Sequence, residues 1–249
     1  MSVEVSGMPE SREARRVRAA AEGDFTLLPQ RLAVALCAVL EVDGVTLSLA
    51  TDTPERQLLA ATGPVAVRLE ELQFECAEGP CVSACAEGVP MLWPDVRQEP
   101  GRWPVFGGRL REELPQIGSL SGFPLGSSPA VGSVDLFSFR PRRLTARGVG
   151  RALRASAAVL EVLLEASRTH STEDRLPRWQ PEEMLDAHWG TTRRAVGVLM
   201  ERWDVDAAEA LARLRARAFA SGRPLPELAA DVMASGCGGD SPSDGADSC

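Results

Sequence analysis

The sequence predicts an α+β domain over residues 25–167, a polar linker over 168–180 and an all-α three-helix unit over 181–235. Two observations carry this. Helix-period and strand-like apolar runs alternate up to residue 167, whereas beyond residue 180 the apolar pattern is purely helical. Between them, 168–180 contains almost no apolar side chains. A chain of 249 residues is long enough for two such units, each burying its own core.

Residues 1–24 are polar and rich in Arg and Glu, and are expected to be a mobile segment or a frayed helical lead-in. From Phe25 the positions Leu28, Leu32, Leu36 and Val39 recur at helical spacing, and Gly44 is expected to end that helix. Residues 45–50 and 57–62 read as strands joined by the turn Thr51-Asp52-Thr53-Pro54. A short helix over 65–74 follows. Gly79-Pro80 introduces another, carrying Cys81, Val82 and Cys85 and stopped by Gly88. Residues 89–92 read as a short strand, and 93–108 as a Pro-, Gly- and Trp-rich loop leading into a helix through Leu114. The last strands are 117–125 and 131–139, separated by the turn Gly126-Ser127-Ser128-Pro129. Thr145 then caps a long helix whose inward stripe is expected to be Val149, Leu153, Ser156, Leu160 and Leu163.

In the C-terminal unit, Leu185, Trp189, Thr192, Val196, Leu199 and Trp203 alternate spacings of four and three, the seam of a coiled-coil-like helix. Asp206 and Glu209 make an acidic capping box for a second helix, with Ala207, Ala210, Leu211, Leu214 and Ala218 inward. Ser221-Gly222 breaks it, and a third helix follows Pro224. The Gly/Ser/Asp tail over 236–249 is disordered by composition. Three helices in some fifty residues make a small core, which oligomerisation would support.

Composition then narrows the chemistry. All 27 basic residues are arginine, no asparagine or tyrosine occurs, and Ile117 is the sole isoleucine. These absences follow AT-rich codons and mark a GC-rich coding sequence. Without lysine there is no Schiff-base enzyme, no PLP site and no GKS/GKT phosphate loop. Only His170 and His188 occur, which removes HExxH and multi-histidine metal centres. The net charge is −8, so any nucleic-acid contact must rest on a local arginine patch. No 18-residue apolar run occurs and the N-terminus is charged, so the expectation is a cytoplasmic chain with no membrane partner. Its six cysteines, at 37, 76, 81, 85, 237 and 249, are then expected to be free thiols.

The run Arg194-Ala195-Val196-Gly197-Val198-Leu199-Met200-Glu201-Arg202, the downstream Asp206-Ala207-Ala208-Glu209-Ala210, and Leu214-Arg215, Leu225 and Leu228-Ala229 resemble the ANTAR domain. That family consists of three-helix RNA-binding modules of bacterial antiterminators. Glu78-Gly79-Pro80-Cys81, Gly88-Val89-Pro90 and Arg102-Trp103-Pro104, with the two last strands, resemble a GAF sensor domain. The order is that of GAF–ANTAR proteins of actinobacteria. The resemblance implies a homodimer whose ANTAR units hold a two-hairpin element in nascent RNA and so prevent a competing terminator hairpin.

On that resemblance Arg193, Arg194, Arg215 and Arg223 are the expected phosphate or base contacts. Ala195 and Gly197 are expected on a helix surface that RNA backbone approaches closely. Many family members place a lysine at Val196, so one phosphate-directed charge is missing there. A GAF fold implies a small-molecule or redox input of unknown identity. Cys76, Cys81 and Cys85 are the candidate sensor thiols, with Cys81 at a helix N-terminus that would lower its pKa; their reading as minor buried hydrophobes stands beside this. The acid-free run Arg140, Arg142, Arg143, Arg147, Arg151, Arg154 reads as a second RNA or polymerase contact, or as a solvated helix face. No catalytic or metal-binding residue is assigned. The alternatives are a cysteine-based GAF-fold reductase of free methionine sulfoxide and a DNA-binding regulator.

Overall fold

The structure, a computed structural model, describes residues 10–50, 56–98, 102–127, 130–170 and 189–236. It divides into two compact units, residues 1–185 and 186–249. The expected turns at 51–54 and 126–129, the linker at 168–180, Leu185 and the tail at 236–249 lie wholly or partly outside the described residues.

The first unit is built on one antiparallel sheet of five strands in the order β2-β1-β5-β4-β3: β1 (Gly44–Ala50), β2 (Arg56–Ala61), β3 (Met91–Trp93), β4 (Ser119–Leu125) and β5 (Gly132–Ser138). Alternation along the strands sends their side chains to two separate cores. Val45, Leu47, Phe123, Leu125, Val134 and Leu136 join one core. It also holds α2 (Leu28–Leu40) and α6 (Ala146–His170). Leu120 and Phe137 point to the other, under α3 (Pro64–Cys76), α4 (Pro80–Glu87) and α5 (Pro104–Glu113). Gly44 sits in β1 rather than ending α2. A Cβ there would lie 2.1 Å from the Phe137 ring, and α2 ends instead at Glu41 in a left-handed turn (φ 56°).

Two expectations are corrected in this unit. Of the mobile or frayed helical lead-in expected over 1–24, the described part holds a capped and docked helix, α1 (Arg12–Ala19). Ser11 caps it, accepting from the Ala14 amide at 3.1 Å, and Val17 is fully buried in the α2/α6 core. Arg151 of α6 holds Glu13 at 2.9 Å. On α6, the Thr145 cap forms as expected, accepting from Gly148 N at 3.1 Å. Its inward face, however, is small: Ala152, Ala155, Ala158 and Ala166 accompany Val159, Val162 and Leu163. Of the expected stripe, Ser156 and Leu163 are buried, while Leu153 is 37% exposed. Val149 and Leu160 pack against the same core, and the alanines let the long helix lie close to its neighbours.

The second unit holds α7 (Gly190–Trp203), α8 (Ala207–Ser221) and α9 (Leu225–Gly236). Asp206 caps α8 through the Glu209 amide at 2.8 Å, as the capping box predicts. Its buried residues are Trp189, Thr192, Ala195, Val196 and Leu199, then Ala210, Leu211, Leu214 and Ala218, then Leu225, Leu228 and Ala229. Among the described residues no helix is long and apolar enough to cross a membrane.

Candidate functional site

In the first unit, the sheet face under α3 and α4 is polar and yet buried. Thr46, Ser48, Ser133 and Asp135 from β1 and β5, with Glu70 and Gln73 from α3, are all at most 1% exposed. Arg56, on the edge strand β2, reaches into this cluster. Its Nη2 donates to Ser48 Oγ and Ser133 Oγ at 2.6 Å each, and its Nε lies 3.6 Å from Glu70 Oε1. Thr46 Oγ1 donates to Glu70 Oε2 at 3.3 Å. Gln73 links β5 to the start of α4: its Nε2 donates to Asp135 Oδ2, and its Oε1 accepts from Cys81 N at 2.9 Å. Gly122, opposite Asp135 in β4, lets α4 come this close, since a Cβ there would sit 2.5 Å from the Pro80 carbonyl oxygen.

One guanidinium faces two buried carboxylates, an excess of negative charge that favours protonation of one of them. Burial, reinforced by the charge of Glu70, pushes Asp135 up to about 8, against the opposing effects of Gln73 and Arg56. Burial also works against the cationic form of Arg56, but the carboxylate of Glu70 helps hold its pKa above the ordinary arginine value. Glu70, Cys81 and Asp135 present ligand atoms within 4.8 Å of one another. Arg56 already supplies a positive charge there.

The sequence motif 78–81 builds the neighbouring scaffold. Glu78 Oε2 accepts from the amides of Val105 and Phe106 at 3.0 Å each, capping α5. Trp103 donates from Nε1 to Ser83 Oγ at 2.9 Å and packs against Trp93, ring centroids 5.7 Å apart.

In the second unit the candidate surface is the arginine-bearing exterior. Arg194 and Gly197 lie on the outer side of α7, and open space surrounds Gly197 where a side chain would stand. A groove of about 220 Å³ opens among the three helices, lined by Arg202 and Trp203 of α7, Arg217 of α8 and Asp231 of α9. Arg213 lies over the Trp203 ring at 5.6 Å. Phe219, near the end of α8, is 74% exposed.

Residues 190–233 match the family model described as the ANTAR domain. For the first unit, the GAF domain of a phosphoenolpyruvate-protein phosphotransferase from Coxiella burnetii superposes with a TM-score of 0.50 at 16% identity, covering 64% of this chain and 94% of that one. The chain joins a GAF-fold unit to an ANTAR domain. The corresponding GAF domain from Acinetobacter gives a TM-score of 0.48 at 13% identity, over 65% of this chain and 95% of that one. The free methionine-R-sulfoxide reductase of Neisseria meningitidis, solved with its substrate, gives 0.46 at 18% identity, over 66% and 98%. No curated protein matches the chain.

Within the ANTAR domain the expected contact residues separate. Arg194, Gly197 and Arg223 are exposed, and Arg193 and Arg215 are half-buried. Arg223 is tied to Asp231 at 2.7 Å, bracing α9. Ala195 does not lie on the surface: it is fully buried and Val196 is 2% exposed, so of the small pair only Gly197 offers close approach. The cause is register, since 192, 195, 196 and 199 form the inward stripe of α7. Arg202, Arg213, Arg217 and Phe219 went unassigned in the sequence. The signal available was the i, i+4 pair Arg213/Arg217 flanking the apolar stripe of α8.

In the GAF-fold unit, Cys81 and Cys85 are buried on α4, and Cys76 is half-buried at the end of α3. The lowered thiol pKa expected for Cys81 is corrected. Burial drives it well above the ordinary value, against the pull of Arg56, because complete desolvation outweighs the helix N-terminus. Cys85 Sγ contacts the Ala130 carbonyl oxygen at 3.3 Å.

Proposed function

We propose that the protein is an RNA-binding regulator of transcription antitermination that acts as a homodimer, its GAF-fold unit receiving a small-molecule or redox input. The ANTAR domain at 190–233 carries this reading. Hairpin loops expose unstacked bases and crowded phosphates, which call for aromatic faces and guanidinium forks. The exterior described above offers both: Arg194 beside the open surface at Gly197, the groove of Arg202, Trp203 and Arg217, and the exposed Phe219 ring. Two such domains holding a two-hairpin element in nascent RNA would keep a terminator hairpin from forming. The role is regulatory rather than enzymatic. Cys81, buried and held as a thiol, presents no accessible thiolate for a cysteine-based reductase.

A mobility-shift titration against the leader RNA of the protein's own operon tests this. Shifted RNA should be competed by unlabelled double-hairpin RNA and not by duplex DNA. Phe219→Ala and Arg217→Glu should each weaken binding roughly tenfold. Failure to bind RNA at low salt would sink the reading, and preferential competition by duplex DNA would replace it with a DNA-binding one.

The dimer reading rests on the outer side of α6. Leu153 and Leu164, three turns apart on one helix face, are 37% and 46% exposed. The double variant Leu153→Glu/Leu164→Glu should sediment as a monomer where the wild type sediments as a dimer. A monomeric wild type would remove the dimer from the proposal.

A further inference from the structure

The GAF-fold unit carries a second polar feature, on the side of the sheet away from the buried Arg56 cluster. Where α1, the end of α2 and the start of α6 meet, they enclose a cleft of about 720 Å³. Seven arginines and two glutamates line it, in a chain whose net charge is −8. Arg12 and Arg16 form one wall, a turn apart on α1. Arg143, Arg147, Arg151 and Arg154 form the other, stepping along α6 and the segment before it.

Three of the seven have structural duties. Arg142 donates to the carbonyl oxygens of Leu40 and Glu41 at the end of α2, and Arg151 and Arg154 face Glu13 at 2.9 and 4.0 Å. The other four, Arg12, Arg16, Arg143 and Arg147, are exposed, and among the described residues none has an ion-pair or hydrogen-bond partner. Unpaired guanidinium groups on facing walls repel one another unless an anion lies between them. The N-terminus of α6 opens into the same cleft at Thr145 and Gly148, adding its positive end to the field.

We propose that this cleft binds an oligophosphate anion, the group shared by nucleoside polyphosphates and inorganic polyphosphate. Guanidinium forks match phosphate oxygens in pairs, and walls on two sides allow one anion to be gripped from both. The extent of the basic track selects a short ligand over a nucleic-acid strand. Arg147 to Arg154 spans about 10 Å of helix. Beyond Arg154 the next exposed charges along α6 are Glu161 and Glu165, which end the track before Arg168. The site lies wholly on the GAF-fold unit and does not depend on the RNA-binding reading of the ANTAR domain.

Calorimetric titration of the full chain with inorganic tripolyphosphate, ATP and AMP tests the proposal. Tripolyphosphate and ATP should bind, and AMP roughly tenfold or more weaker. Tighter binding of ATP than of tripolyphosphate assigns the nucleoside form, and equal binding assigns the inorganic one. Arg143→Glu/Arg147→Glu should reduce tripolyphosphate affinity roughly tenfold or more, and Arg12→Glu/Arg16→Glu should do the same from the opposite wall. Arg97→Glu/Arg102→Glu, an equal change of net charge elsewhere on the unit, should leave affinity within about twofold. Equal losses in all three double variants, or none in the cleft variants, would overturn the site. So would capture of a short single-stranded RNA at the cleft arginines without binding of tripolyphosphate.

Discussion

Replacing Arg56 by methionine should destabilise the GAF-fold unit by about 3–5 kcal/mol, the range for removing one partner of a buried ion pair. The reason lies in what stays behind. Glu70 is 1% exposed, and its charge balance is the guanidinium 3.6 Å away. Ser48 and Ser133 would lose a donor that each now receives at 2.6 Å. The hydroxyls can fall back on each other across 3.2 Å, but no comparable substitute faces the carboxylate. Urea unfolding followed by circular dichroism gives the magnitude. The double variant Arg56→Met/Glu70→Leu should recover most of the loss, because a buried pair exchanged whole for apolar side chains is often neutral. A single-variant loss below about 1 kcal/mol would mean that the cluster is solvated and not the buried pair described here.

That cluster also shows where sequence reasoning stops. The order of helices and strands was legible, because apolar periodicity and Gly/Pro punctuation are local signals. So were the Thr145 and Asp206 caps, each a side chain bonding an amide three residues on. Thr46, Ser48, Ser133 and Asp135, however, alternate with Val45, Leu47, Val134 and Leu136. Such a pattern ordinarily reads as a strand with one side in water. Here the polar side is roofed by α3 and α4, and Arg56, Glu70, Gln73 and Asp135 come together across up to 79 residues of chain. No local pattern encodes that meeting.

The same limit explains the other departures. Val17 alone gives α1 little apolar signal, yet one buried valine, a serine cap and the Glu13–Arg151 pair dock it. On α6, alanines share the buried side with Val159, Val162 and Leu163, so hydrophobicity alone orients the helix but misplaces Leu153. In the ANTAR domain the motif residues were legible but their exposure was not. Ala195 and Gly197 are two residues apart, which on a helix places them on different sides.

Asp135 should make stability depend on pH in a direction opposite to that of an ordinary paired carboxylate. Its pKa rises from an ordinary 3.8 to about 8 in the folded unit, through burial first and the neighbouring Glu70 second. Between those values the native state holds a proton that the unfolded chain has released, so stability falls as pH rises. The contribution is fully present below pH 3.8, is lost progressively up to about pH 8 and then levels off. Asp135→Asn keeps the shape of the protonated acid and an oxygen for Gln73, but does not titrate. The variant should therefore match the wild type near pH 3.5 and exceed it in melting temperature at pH 8.5, with the two profiles diverging in between. Parallel profiles would show that Asp135 is ionised throughout and that Arg56 balances two charges. Diverging profiles would fix the state of the bridge from β5 through Gln73 to Cys81 N. With the proton lost, Asp135 becomes a second buried anion opposite Gly122, and the added charge bears on the start of α4, the helix that carries Cys81 and Cys85.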